Sequence, residues 1–133
     1  MATVFTDEGE KDVLDVYLAT AGVRVGLFQN NYVPVAGSVL ADLTAATFSG
    51  YAVGTPVYGA ATTVANRANA VAAALNFDHN GGATANTIYG WYVFNTTTSK
   101  LLKANTLGTP VVMDTAGNRI TVTDTMLGAG TIT

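Results

Sequence analysis

The chain has 133 residues, a net charge of −3 and no cysteine, and charged residues make up only 11% of the sequence. This length fits a single domain. The six basic residues are too scattered to form a nucleic-acid-binding surface, and the lack of cysteine excludes disulfides and thiolate metal sites. Soluble domains carry roughly 25% charged residues, so the low value predicts a subunit whose surface lies against other protein rather than a catalyst.

The first fifteen residues hold six of the fifteen charged side chains and predict the only helix. Asp7 followed three residues later by Glu10 resembles a capping box, and acidic residues suit the positive end of the helix dipole. Apolar side chains then recur at helical spacing and Gly22 is a suitable stop, which predicts a helix over residues 7–20. The apolar stripe consists of Val13, Leu14, Tyr17 and Leu18.

Two interpretations of this helix are open. It packs on the domain as a short N-terminal element, or residues 1–22 form an arm that docks on a neighbouring subunit. In the second case Val13 and Tyr17 are the candidate contact residues.

The remainder, residues 23–133, alternates apolar and polar residues over short stretches and predicts a single antiparallel β-sandwich or jelly-roll-like domain. A long loop over Tyr32–Ala46 contains one helical turn near Leu40–Leu43. The alanine-rich stretch is predicted as a strand because its larger side chains alternate onto one face, which carries Val71, Ala73, Leu75 and Phe77. The last two strands are predicted to pair as a hairpin. The predicted strands are Val23–Gln29, Thr47–Val53, Pro56–Ala61, Ala70–Asp78, Thr87–Asn95, Lys100–Leu107, Val111–Asp114 and Arg119–Thr125.

The stretch Thr87–Asn95 is apolar on both faces, which is unusual for a strand in so small a domain. One face carries Ile88, Gly90, Tyr92 and Phe94. The other carries Tyr89, Trp91 and Val93, and a face without a partner in its own chain is typical of a protein contact. These three residues therefore join the helix pair as candidate interface residues.

No motif predicts a catalytic residue, a cofactor or a metal site. His79 is the only histidine and precedes Asn80-Gly81-Gly82, which predicts a turn histidine. Residues 114–118 place oxygen side chains near a glycine but lack the spaced ligands of a calcium loop, so they predict a hairpin turn. Neither a signal peptide nor a membrane-length apolar run is visible, so we expect no membrane partner.

Several stretches together resemble small structural proteins of tailed bacteriophages. The helix over residues 7–18 leads into Val25–Pro34 (VGLFQNNYVP), followed by Leu40–Ala52 (LADLTAATFSGYA), in which Ala45 replaces the usual acidic residue. Ile88–Val93 (IYGWYV) and Leu101–Ala104 (LLKA) resemble the paired strands of the same group. The resemblance implies a virion protein without an active site.

The expected function is that of a capsid decoration, or cement, protein. Such a protein assembles in the cytoplasm of the bacterial host, binds the major capsid protein on the capsid exterior, and is expected here to form a homotrimer. A tail, baseplate or fibre-attachment subunit is an alternative from the same particle. A carbohydrate-binding β-sandwich that uses Trp91 as a stacking platform is an alternative from another class.

Overall fold

The computed structural model describes residues 6–65 and 67–128. Within these residues the chain is mainly β, with eight strands in three antiparallel sheets and one α-helix, which confirms the predicted class. The sheets have the strand orders β1-β5-β6, β2-β3-β8 and β4-β7. The elements are α1 (Asp7–Thr20), β1 (Val23–Phe28), a 3-10 turn (Leu40–Asp42), β2 (Thr62–Val64), β3 (Arg67–Val71), β4 (Leu75–Asp78), β5 (Asn86–Asn95), β6 (Lys100–Met113), β7 (Arg119–Val122) and β8 (Thr125–Leu127).

Helix α1 has the predicted bounds, but its cap differs from the prediction. The N-cap is Thr6, whose side-chain oxygen accepts a hydrogen bond from the Gly9 amide at 3.1 Å. The helix ends at the C-cap Ala21, and Gly22 follows with φ +64°, a left-handed conformation that glycine adopts without strain. Leu14 packs against β3, so the helix lies on the β domain; residues 1–5 of the predicted arm lie outside the described residues.

The central sheet places β5 between β1 and β6, with Val25 opposite Val93. A register shift between Ile88 and Gly90 brings Ile88 into the same buried cluster as Val93, although strict alternation predicts them on opposite faces. This cluster is the main core and joins the central sheet to the β4-β7 sheet. Its members include Val25, Leu27, Phe48, Phe77, Ile88, Val93, Met113, Ile120 and Val122.

The two strands predicted over Thr47–Val53 and Pro56–Ala61 are not formed. Their chain runs beside β1 and β3 and makes only isolated bridges, such as Gly54 to Val25 and Tyr58 to Ala72. These residues have the composition of β-strands, but they form an irregular segment that pairs with its neighbours only at single residues.

The alanine-rich stretch is extended, as predicted, but it is broken into β3 and β4. Ala70 and Ala72 are buried whereas Val71 and Ala73 are exposed, so the predicted inward face is wrong before the break and right for Phe77 after it. The amide of Ala72 donates to the carbonyl of Asp124, outside the regular ladder, and this accompanies the change of face.

The predicted hairpin is also corrected. The turn itself is present, because the side-chain oxygen of Asn118 accepts from the amides of Asp114 and Thr115. The strands on either side do not pair with each other: β6 pairs with β5, and β7 pairs with β4. The chain predicted as one strand over Arg119–Thr125 divides into β7 and β8, and the two strands predicted between residues 100 and 114 are one strand, β6.

Candidate contact site on helix α1

One face of helix α1 lines an open, mostly apolar groove, called here the α1 groove. Glu10, Val13, Leu14 and Tyr17 lie at positions i, i+3, i+4 and i+7, which places them on one side of a helix. The opposite wall comes from β6 and from β8 with the residue after it. The groove has a volume of about 300 Å³, and its far wall consists of Leu102, Met126, Leu127 and Gly128.

Glu10 is the one charged side chain that lines the α1 groove. Only 1% of it is exposed, and its Oε2 accepts a hydrogen bond from the amide of Ala68 at 3.1 Å. Its Oε1 has no hydrogen-bond partner among the described residues. A buried carboxylate oxygen without a hydrogen-bond partner costs free energy.

The middle of the groove is tied to the central sheet through Tyr17. Its hydroxyl accepts a hydrogen bond from the Asn95 side chain at 3.1 Å, and the Asn95 oxygen in turn accepts from the amide of Thr97 at 2.9 Å. The position of helix α1 is thus fixed by a polar tether as well as by apolar packing. On the solvent side, Val13 and Val16 are each 56% exposed, which extends the apolar surface beyond the groove.

Tyr58, Lys103 and Asp124 form a polar cluster, called here the polar hub, in which Asp124 is buried and the Lys103 side chain is 32% exposed. Asp124 is 1% exposed, forms an ion pair with Lys103, and accepts a hydrogen bond from the Tyr58 hydroxyl at 2.5 Å. Lys103 Nζ also donates to the carbonyl of Thr125 at 2.6 Å, which fixes the start of β8. Burial and the adjacent Asp124 carboxylate raise the pKa of Tyr58, so its hydroxyl stays a donor at neutral pH.

The five predicted interface residues do not lie on one surface. Val13 and Tyr17 both line the α1 groove, and neither Tyr89 nor Trp91 does. Both of these are half-buried, and Trp91 packs against the core with Lys103 Nζ 5.7 Å from its ring centroid. Val93 has no exposed surface, which corrects its assignment to a surface: no partner can touch it while the chain keeps this fold.

The polar hub was not foreseen from the sequence. Its members are separated by 45 and 21 residues and come from an irregular segment, a strand and a connection, so no local spacing links them. Charged residues are sparse in this half of the chain, but nothing in the spacing of Lys103 and Asp124 points to their pairing.

His79 takes a structural position in the turn predicted for it. It is 3% exposed, its Nδ1 accepts from the Gly81 amide at 3.0 Å, and its Nε2 lies 3.0 Å from the carbonyl of Thr84. The ring also stacks on Phe48 with centroids 6.0 Å apart. Across the part of the chain that the structure describes, no group of three or more His, Asp or Glu side chains is arranged to hold a metal.

Comparisons with protein-family models, curated proteins and solved structures found no match to this chain. The helix within the described residues is not long and apolar enough to cross a membrane.

Proposed function

We propose that this protein is a structural subunit of a tailed-bacteriophage particle, and that it acts as a decoration protein that binds and stabilises the outside of the capsid. The observation that carries the proposal is the α1 groove, an open and mostly apolar surface. Such a surface suits a partner segment that brings apolar side chains.

The groove lies beside the most acidic part of the chain. Asp7, Glu8, Asp12 and Asp15 are exposed on the same helix, whereas the rest of the surface carries few charges. A basic segment of the major capsid protein would complement this helix, and the uncharged remainder would pack at repeated contacts without leaving a buried charge unpaired. The resemblance of the sequence to small virion proteins supports the same partner.

The proposal includes the finer features expected from the sequence. The three sheets are proposed to form a sandwich around the core, copies of the protein to form a trimer, and the trimer to sit on the capsid exterior after assembly in the cytoplasm of a bacterial host. A ligand that binds only the assembled shell stabilises that shell by mass action, which is how a decoration protein would resist the pressure of packaged DNA.

Add-back to capsids tests the proposal. Particles that lack the protein should assemble but release DNA at a lower temperature, and purified protein should restore the difference at a fixed number of copies. Val13→Glu should abolish this restoration, because it puts a charge into the α1 groove. Val112→Glu is the matched control, since Val112 is 52% exposed, close to the 56% of Val13, and does not line the groove.

Two results would replace the proposal. Detection of the protein in few copies at the tail or at a single vertex would favour the tail or baseplate alternative. Equal restoration by the Val13→Glu and Val112→Glu variants would exclude the α1 groove as the capsid contact. The carbohydrate-binding alternative is weakened by the position of Trp91, which is half-buried beside Lys103 rather than open as a stacking platform.

A further inference from the structure

The two edges of the central sheet differ in how their backbone groups are satisfied. On the β1 edge, Val25 exchanges two backbone hydrogen bonds with Gly54, at 2.9 and 2.8 Å. The carbonyl of Leu27 accepts from the amide of Ala46 at 2.9 Å, and the Leu27 amide donates to the Tyr51 hydroxyl at 3.0 Å. The chain after β1 therefore closes this edge.

Strand alternation shows which backbone groups face outward at the opposite edge, on β6. The backbone amides and carbonyls of Val25 and Leu27 point away from β5. Val93 and Trp91 lie opposite these residues on β5, so their backbone amides and carbonyls point toward β6. Their β6 partners are Lys103 and Asn105, whose backbone groups are used in the ladder. The alternate residues, including Ala104 and Thr106, consequently direct their amides and carbonyls outward.

These outward groups of β6 meet no backbone partner among the described residues outside the sheet. An open cavity of about 320 Å³ runs beside them, and four consecutive strand residues, 101–104, line it. Consecutive residues point to alternate faces, so a cavity that touches all four follows the strand edge. Pro34, Val35, Ala36 and Ser38 form its other wall, and a second cavity of about 360 Å³ continues along Ser99–Leu101.

We propose that the β6 edge over residues 102–106 is a strand-addition site, and that its occupant is the same edge of a second copy of this chain. Unpaired amides and carbonyls in a row are complementary to another β-strand, and an antiparallel two-fold pairing lets one edge satisfy itself. Cavities along the edge leave room for alternate side chains of the incoming strand.

The charges and the bends of β6 fit this pairing. With Ala104 opposite Ala104, Lys100 of one copy lies near Gly108 of the other and far from the second Lys100. Lys103 does not oppose pairing, because its charge is turned inward onto Asp124. The ladder between β5 and β6 shifts register between Leu101 and Lys103 and again beyond Thr106, where the strand reaches Pro110, so the two-fold pairing centred on Ala104 is limited to residues 102–106.

This contact is separate from the α1 groove and does not depend on the proposed function. A two-fold contact joins two copies, so a trimer held together elsewhere would pair with a second trimer through this edge, and loss of the contact should halve the mass of the assembly. Failure of the capsid experiment would leave this inference standing, and failure of the edge pairing would leave the groove proposal standing.

Ala104→Pro tests the edge directly. Proline removes only an outward amide at this position and is tolerated on an edge strand, so the fold should persist while the pairing is lost. Light scattering coupled to size-exclusion chromatography should show the wild-type assembly and half its mass for the variant. Ala104→Val, which keeps the amide, is the matched control and should retain the wild-type mass.

Amide hydrogen exchange supplies a measurement without a variant. In wild-type protein the amides of Ala104 and Thr106 should exchange more slowly as the protein concentration rises, while the ladder amides of Lys103 and Asn105 stay slow throughout. A wild-type protein that is monomeric at hundreds of micromolar overturns the inference. So does a folded Ala104→Pro variant of unchanged mass, or exchange at Ala104 and Thr106 that is independent of concentration.

Discussion

Lys103→Met should destabilise the fold strongly, because it removes one member of the polar hub and leaves the carboxylate of Asp124 buried. Asp124 is 1% exposed and would keep only the Tyr58 hydroxyl as a side-chain donor. Breaking a buried ion pair by removing one partner costs about 3–5 kcal/mol, and because the Lys103 side chain is 32% exposed we expect the lower end of this range. The total stability of a domain is about 5–15 kcal/mol, so the variant should lie close to the limit of folding at 25 °C.

Urea unfolding followed by far-ultraviolet circular dichroism measures the effect. With an m-value of about 2 kcal/mol/M, the expected loss lowers the midpoint by about 2 M. Replacing the whole hub, as Lys103→Met with Asp124→Leu and Tyr58→Phe, should recover most of the loss because no buried polar group is then left unpaired.

Arg119→Met is the matched control for removing a cation. Arg119 pairs with Asp78 at 2.6 Å, but their side chains are 56% and 49% exposed, and an exposed ion pair contributes little. Its midpoint should stay within about 0.3 M of the wild type. A Lys103→Met variant as stable as Arg119→Met would refute the reasoning that the hub holds β8 in place.

Three further outcomes are expected. Glu10→Ala leaves the buried amide of Ala68 without its acceptor and should lower the free energy of unfolding in urea by about 1–3 kcal/mol. Glu10→Gln keeps an acceptor and should lower it less. Equal losses for the two variants would show that the hydrogen bond does not stabilise the fold. Gly90→Ala puts a Cβ 2.2 Å from the carbonyl oxygen of Asn105, so the free energy of unfolding should fall by about 3 kcal/mol or more. A urea midpoint equal to that of the wild type would show that β5 and β6 move apart without cost. The pKa of Tyr58 is raised in the folded protein. The free energy that the protonated Tyr58 hydroxyl contributes to stability is therefore fully present below pH about 10, the pKa of tyrosine in the unfolded chain. It is lost as the pH rises above that value, because the unfolded chain releases the proton and the folded chain keeps it. Alkaline stability curves of Tyr58→Phe should therefore fall less steeply above pH 10, by up to one proton, and an unchanged slope would contradict the assignment.

Elements with strong local signals were predicted well. Helix α1 has an acidic start, an apolar stripe and a terminal glycine within sixteen residues, and the structure places it at residues 7–20 as expected. Strands β1 and β5 were found within one residue at either end because their apolar runs are bounded by turn residues. These signals depend on neighbouring residues alone.

The pairing of the strands and the composition of the candidate site could not be predicted from neighbouring residues. Whether Thr47–Val53 forms a strand depends on the distant β1 edge, which it contacts through the Tyr51 hydroxyl and through single bridges at the flanking residues Ala45 and Gly54. The choice of β4 rather than β6 as the partner of β7 likewise depends on residues about forty positions away. For the candidate site, the helix stripe identified Val13 and Tyr17, but the groove wall comes from β6 and the β8 region, and the polar hub joins residues 58, 103 and 124, so neither has a local signature.

The strand order has a consequence for how the chain reaches its fold during synthesis. The strands of the last third supply partners for elements made much earlier: β7 pairs with β4, β8 pairs with β3, and Asp124 holds Tyr58. Most of the sheet therefore consists of contacts between residues far apart in sequence, which slows folding. A nascent chain that ends before Arg119 would leave β4 without a partner and β3 paired on one side only, so the ribosome must release nearly the whole β domain before its core can close.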